Sequence, residues 1–177
     1  MTIVPDDKNW MWVLERHCPE CGFDAFTVGL DRVGATIRAM NPAWEAVLRR
    51  GSVRDRPAPS VWSPLEYGCH VRDVYRIFDA RLARMLAEEH PLFANWDQDA
   101  TAIRERYGEQ DPVTVAAELV AAAEVLASRF DGVAGPQWDR TSERSDGSCF
   151  TVDTFAKYLL HDPIHHLHDV GEAFVLR

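Results

Sequence analysis

The stretch SPLEYGCHVRDVYRIFDARLARMLAEE, running from Ser63 to Glu89, decides the fold. Ser63 offers an N-cap hydroxyl, Pro64 suits the first helical position because no N–H is needed there, and Glu66 completes a capping box. Downstream, Leu65, Cys69, Val74, Ile77, Phe78, Leu82 and Leu86 recur at helical spacing and make one apolar stripe. A long helix with a single apolar stripe has to bury it against other elements.

The flanking sequence supplies those partners. Val33, Ile37, Met40, Trp44, Val47 and Leu48 predict a helix from near Asp31 to Arg50, with Gly51 as its stop. Pro42 lies inside it and is expected to kink or split it. The segment from Ser52 to Val61, with Pro57 and Pro59, reads as a connecting loop. Residues 90–111 form a polar connection with a short helix near Ala100 to Arg106. A third long helix spans Pro112 to Phe130, with Val115, Leu119, Ala122, Val125 and Leu126 inward and Asp131-Gly132 as its end. Residues 133–150 make a second connection around the turn Ser145-Asp146-Gly147, where no strand pattern supports a hairpin. The last helix runs from near Thr151 to about Phe174. Residues 1–30 read as an irregular segment whose Trp10, Trp12 and Phe23 pack on the remainder. The expected architecture is an all-α four-helix bundle with long connections, one domain over residues 1–177.

Composition narrows the function classes. The chain is 46% hydrophobic and 27% charged, ordinary for a globular protein, and carries a formal net charge of −9. That charge argues against a nucleic-acid partner, which calls for clustered Lys and Arg. No apolar run approaches the roughly 20 residues of a membrane span. The start MTIVPDDKNWMW lacks the basic and apolar regions of a signal peptide, so a cytoplasmic location is expected. Four cysteines are present, Cys18, Cys21, Cys69 and Cys149, expected to be reduced in that compartment. Cys18-Pro-Glu-Cys21-Gly looks like half of a zinc knuckle, and a structural site needs a second pair of ligands. A tight turn carrying two partly buried thiols is the plainer reading. Cys69 reads as a small core residue on the apolar stripe.

Four of the seven histidines crowd into LLHDPIHHLHDV, Leu159 to Val170. Imidazole and carboxylate are common ligands of zinc-like or nickel-like ions, and residues three or four apart share a helix face. On the wheel, Val152, Ala156, Leu159, Leu160, Pro163, Leu167, Val170 and Phe174 define the inward face. His166 lies at its margin, with Asp162 and Asp169 just beyond; His161, His165 and His168 fall nearer the opposite side. Asp162 with His166 is therefore the pair best placed to meet a third ligand, His70, which lies beside the stripe of the second helix. His161 with His165 is the alternative register. Glu66, Asp73 and Asp169 are candidates to orient a ligating imidazole. Arg72 and Arg76 are candidate contacts for an anionic substrate, or else solvated side chains.

The run Trp62-Ser63-Pro64-x-Glu66-x-x-x-His70 resembles the second-helix motif of the DinB-like family of four-helix bundles, which includes the mycothiol-dependent maleylpyruvate isomerases. Asp162-x-x-x-His166-x-x-Asp169-Val170 is similar to the family's last-helix motif. The resemblance spans the two motif helices and fits the helix count. Asp162 is shorter than the usual ligand, and Pro163 is unusual inside the motif. What the resemblance implies is a divalent metal, zinc or nickel, on His70, Asp162 and His166. It also implies a low-molecular-weight thiol cosubstrate of mycothiol or bacillithiol type, used for S-transfer or isomerisation of a small electrophile. The competing expectations are a metal-dependent hydrolase and a non-catalytic bundle that binds a ligand or pairs as a homodimer.

Overall fold

The computed structural model describes residues 9–176. Four long helices make the bundle: α1 (Val33–Leu48), α2 (Pro64–Ala87), α4 (Pro112–Asp131) and α5 (Val152–Asp169), with a short α3 (Gln98–Arg104) in the connection between α2 and α4. Round the bundle the order is α1, α4, α2, α5, so the consecutive helices α1 and α2 face each other across a diagonal. Long connections permit that arrangement.

Local signals explain the ends. Ser63 Oγ accepts from the Glu66 N–H while Glu66 Oε2 accepts from the Ser63 N–H at 2.8 Å, so both halves of the capping box form. Pro42 and Pro163 sit inside α1 and α5 without splitting either. Each removes one backbone donor, a loss that burial of neighbours such as Met40, Trp44, Leu159 and Leu167 outweighs. The last helix stops at Asp169, short of the expected Phe174. Gly171 adopts φ +75°, and the Glu172 and Gly171 N–H groups donate back to Leu167 and His168. This is a Schellman cap, which glycine allows and other residues resist.

The connections hold a small sheet that the sequence pattern did not support. β1 (Leu92–Phe93) pairs parallel with β2 (Thr141–Arg144), which pairs antiparallel with β3 (Cys149–Thr151). Its strands are too short for an alternation to register. Its consequence is positional, because it ties the segment containing Trp96 to the one containing Arg144 at one end of the bundle.

The core is shared by all four long helices, with Trp44, Tyr75, Phe155, Ile37, Leu65, Leu82, Leu119 and Leu126 fully buried. Phe78 stacks on Phe155 at 4.5 Å between centroids. The segment before α1 packs on α5 rather than standing apart. Trp10, Trp12 and Phe23 all bring their rings within 6.4 Å of His161. Among the described residues no helix is long and apolar enough to cross a membrane.

Candidate metal centres on the last helix

His70 and the pair Asp162 and His166 converge from α2 and α5. One ligand atom from each of the three lies within 4.8 Å of the other two. His70 Nε2 is 3.4 Å from both Asp162 oxygens, and His166 Nε2 is 3.9 Å from Oδ2. These separations are long for hydrogen bonds. They are close to the edge of a ligand tetrahedron, about 3.3 Å when bonds to N and O are 2.0–2.1 Å. Asp162 Oδ1 and His70 Nδ1 are buried and have no hydrogen-bond partner among the described residues. An orphaned carboxylate oxygen aimed at imidazoles is the donor chemistry a divalent cation satisfies, so the residues present fit a metal. Burial opposes charge on Asp162, yet the facing His70 and His166 rings hold its carboxyl low, at about 2.

The rings are held rather than free to swing. His70 is fully buried and stacked on Trp96, with centroids 5.3 Å apart and planes 7° from parallel, and Trp62 packs against it at 5.3 Å. His166 Nδ1 lies 2.8 Å from Asp169 Oδ2, which leaves Nε2 to face Asp162. Of the three carboxylates expected to orient a ligand, Asp169 is therefore the one in contact. Glu66 is engaged by Ser63 and by Arg56, and Asp73 by Arg72, Arg76 and the Tyr107 hydroxyl at 2.6 Å. Capping and buried ion pairing have taken both. Cys69 is buried, and burial pushes its thiol up to about 12, which removes it as a nucleophile.

Asp162 and His166 open onto a cleft of about 610 Å³ whose walls include Val74, Phe78, Arg81, Trp96 and Arg144. The expected anion contacts lie elsewhere: Arg72 is buried against Asp73, Glu118 and Gln110, and Arg76 is exposed beside Asp73 and Glu118. Arg81 and Arg144 line the cleft instead, Arg144 paired with Asp146 at 2.7 Å. Arg81 donates to the Ala94 carbonyl, and among the described residues no carboxylate pairs with it. Burial, reinforced by Arg144, pulls its guanidinium down to about 10. A signal for Arg81 was present in the sequence, because positions 70, 74, 78 and 81 follow one face of α2. No local pattern pointed to Trp96 or Arg144, since the sheet delivers both.

The other histidine pair takes a different partner. His161 and His165 are buried, not solvent-facing as the wheel suggested, because the segment before α1 covers their side of α5. Cys18, Cys21, His161 and His165 each place a ligand atom within 4.8 Å of the rest. His168 is exposed and joins neither cluster.

Comparison with known proteins gives two matches. A solved structure of YfiT from Bacillus subtilis, described as "a probable metal-dependent hydrolase with an unusual four-helix bundle topology", superposes with a TM-score of 0.63. It is 16% identical, and the match covers 96% of this chain and 91% of that one, so the likeness is one of fold. No curated protein matches the chain. The sequence model of the DinB superfamily matches residues 35–170, from the start of α1 to the end of α5. That match spans most of the chain, and the chain belongs to the DinB superfamily.

Proposed function

We propose that this protein is a metal-dependent enzyme that acts on a small, anionic molecule bound beside His70, Asp162 and His166. The observation that carries the reading is the convergence of three ligand atoms at the edge of a polar cleft, on whose wall Arg81 has no carboxylate partner among the described residues while Arg144 is paired with Asp146. Three protein ligands with an open side suit catalysis, whereas structural sites are closed by four. A zinc-like or nickel-like ion held there supplies Lewis acidity and lowers the pKa of a thiol or water at its open position.

The chain's own residues account for the rest. Asp169 orients His166 through the 2.8 Å contact, and Trp62 and Trp96 clamp His70 and keep solvent from its ring. Asp162 contributes the negative charge that favours a dication over a monovalent ion. Arg81 and Arg144 hold the anionic end of a ligand, and Phe78 and Val74 give it an apolar floor.

We favour a low-molecular-weight thiol, of mycothiol or bacillithiol type, as the nucleophile. A polar cleft of this size accommodates such a conjugate, and the motif resemblance favours it. Hydrolysis with water as nucleophile is the second reading, and the fold likeness to YfiT favours that one. One experiment addresses both. The zinc- or nickel-loaded protein is assayed on small electrophiles and on esters or amides, with and without added thiol, beside His70→Ala, His166→Ala and Arg81→Gln. Turnover that needs thiol and is lost with either histidine supports S-transfer, and thiol-independent turnover supports hydrolysis. Arg81→Gln is expected to raise KM with little change in kcat. Turnover that survives both histidine substitutions would overturn the proposal.

A further inference from the structure

We infer that the chain carries a second metal site, a closed Cys2His2 centre of the structural zinc class, formed by Cys18, Cys21, His161 and His165. The site shares no ligand with the neighbouring cluster of His70, Asp162 and His166.

Cys18 and Cys21 lie in the turn Cys18-Pro-Glu-Cys21-Gly22. The Cys18 N–H donates to the Phe23 carbonyl at 2.8 Å and the Gly22 N–H to the Cys18 carbonyl at 2.9 Å. Gly22 adopts φ +75°, a left-handed conformation that glycine takes without strain. The turn therefore folds its two thiols to one side. One turn apart on α5, His161 and His165 present their rings to that side with centroids 5.0 Å apart. The two halves lie 140 or more positions apart in the sequence, yet all four ligand atoms fall within 4.8 Å of one another.

The distances suit zinc. Bonds of about 2.3 Å to sulfur and 2.0–2.1 Å to nitrogen place ligands on a tetrahedron with edges of about 3.3–3.8 Å. Cys18 Sγ is 3.7 Å from His165 Nδ1. His161 Nε2 is buried and has no hydrogen-bond partner among the described residues, a state that calls for an ion or a water. The far nitrogen of His165, Nε2, lies 3.5 Å from Glu20 and 3.7 Å from Asp169. Carboxylates behind a ligating imidazole fix its tautomer and aim the other nitrogen at the metal.

Burial has already prepared the donors. It holds His161 down to about 4 and lowers His165, so both imidazoles stay neutral and keep a lone pair. It also raises the Cys21 thiol, with neighbouring Cys18 adding to the effect. Binding zinc releases two protons and leaves a neutral centre, Zn²⁺ with two thiolates and two imidazoles.

Four protein ligands leave no open position, so this centre holds structure. It staples the segment carrying Trp10, Trp12 and Phe23 to the outer side of α5, whose other side carries Asp162 and His166. Asp169 touches both clusters, with Oδ1 toward His165 and Oδ2 toward His166.

The test is cobalt(II) loading of the full-length chain, wild type and His70→Ala, read by absorption. A thiolate-to-cobalt charge-transfer band in both proteins is expected, because His70 has no part in the Cys2His2 centre. Zinc content is expected at two ions per chain in wild type and one in both His70→Ala and the Cys18→Ser/Cys21→Ser double variant. If the double variant does not fold, thiol titration of wild type replaces it, and zinc should cut the reaction rate of Cys18 and Cys21 at least tenfold over chelator-treated protein. A cobalt spectrum without the charge-transfer band, a Cys18–Cys21 disulfide in the protein as isolated without reductant, or equal thiol reactivity with and without zinc overturns the inference.

Discussion

Replacing Asp169 with asparagine separates metal support from fold support, because the two respond with different magnitudes. Asp169 Oδ2 is 2.8 Å from His166 Nδ1 and Oδ1 is 3.7 Å from His165 Nε2. The amide of the Asp169→Asn variant would still accept one hydrogen bond, but without the charge that strengthens the basicity of His166. Losing a carboxylate of this kind costs about 10–100-fold in metal affinity, or about 1.4–2.7 kcal/mol. The cost should fall mainly on the cluster of His70, Asp162 and His166, where the contact is shortest. Stability of the metal-free protein should behave otherwise. Asp169 is the last residue of α5, where a negative charge meets the negative end of the helix dipole. Removing that charge returns about 0.3–1 kcal/mol. That gain offsets part of any weakened hydrogen bond, so metal-free stability is expected to change by less than about 1 kcal/mol. Competition against a chromophoric chelator measures the first quantity, and urea denaturation with chelator present measures the second. An unchanged metal affinity would refute the reasoning. So would a loss of metal-free stability as large as the loss of affinity, since Asp169 would then be a strut of the fold.

Three further outcomes follow from the structure. Gly34→Ala would place a methyl 2.8 Å from the backbone carbonyl of Ala127 and closer still to Asp131 Oδ1, where α1 meets α4. Helix propensity favours alanine by about 1 kcal/mol, but overpacking against backbone costs about 1–3, so thermal denaturation should show a net loss; a gain in Tm would mean the helices part freely. Ser63→Ala removes the cap hydroxyl of α2 and is expected to cost about 0.5–2 kcal/mol in urea denaturation, and an unchanged midpoint would show that Arg56 and Glu66 alone hold the helix start. Burial opposes charge on Asp73, but Arg72 and the Tyr107 hydroxyl outweigh it and hold the carboxyl below its ordinary 3.8. Its contribution is present in full above that value and fades as pH falls below it; Asp73→Asn should therefore destabilise at neutral pH and cost progressively less in acid, and a cost independent of pH would exclude the ion pair as its source.

The all-α fold was legible because its signals are local. The Ser63-Pro64-x-Glu66 box, the stops at Gly51 and Gly132, and the apolar stripes of four helices each act within a few turns of chain. The donors were legible too: His70, and on α5 two pairs at i and i+4, Asp162 with His166 and His161 with His165. Periodicity presents those pairs as rivals for one face, because successive positions on a helix turn by about 100° and only one face seemed inward. The tertiary structure removes the rivalry. Residues 10–23 lie over the outer side of α5, so that helix has two covered faces, and each pair meets its own partner there. No pattern within α5 could announce a cover supplied from the other end of the chain. The same holds for the cleft. Trp96 reaches His70, and Arg144 reaches Arg81, through a sheet whose strands are two to four residues long. The amino-acid sequence by itself determined the helices, their caps and the chemistry of the donors. Which donors share a site, and which cations face the cleft, depended on contacts between distant segments, and those exist only once the chain has folded.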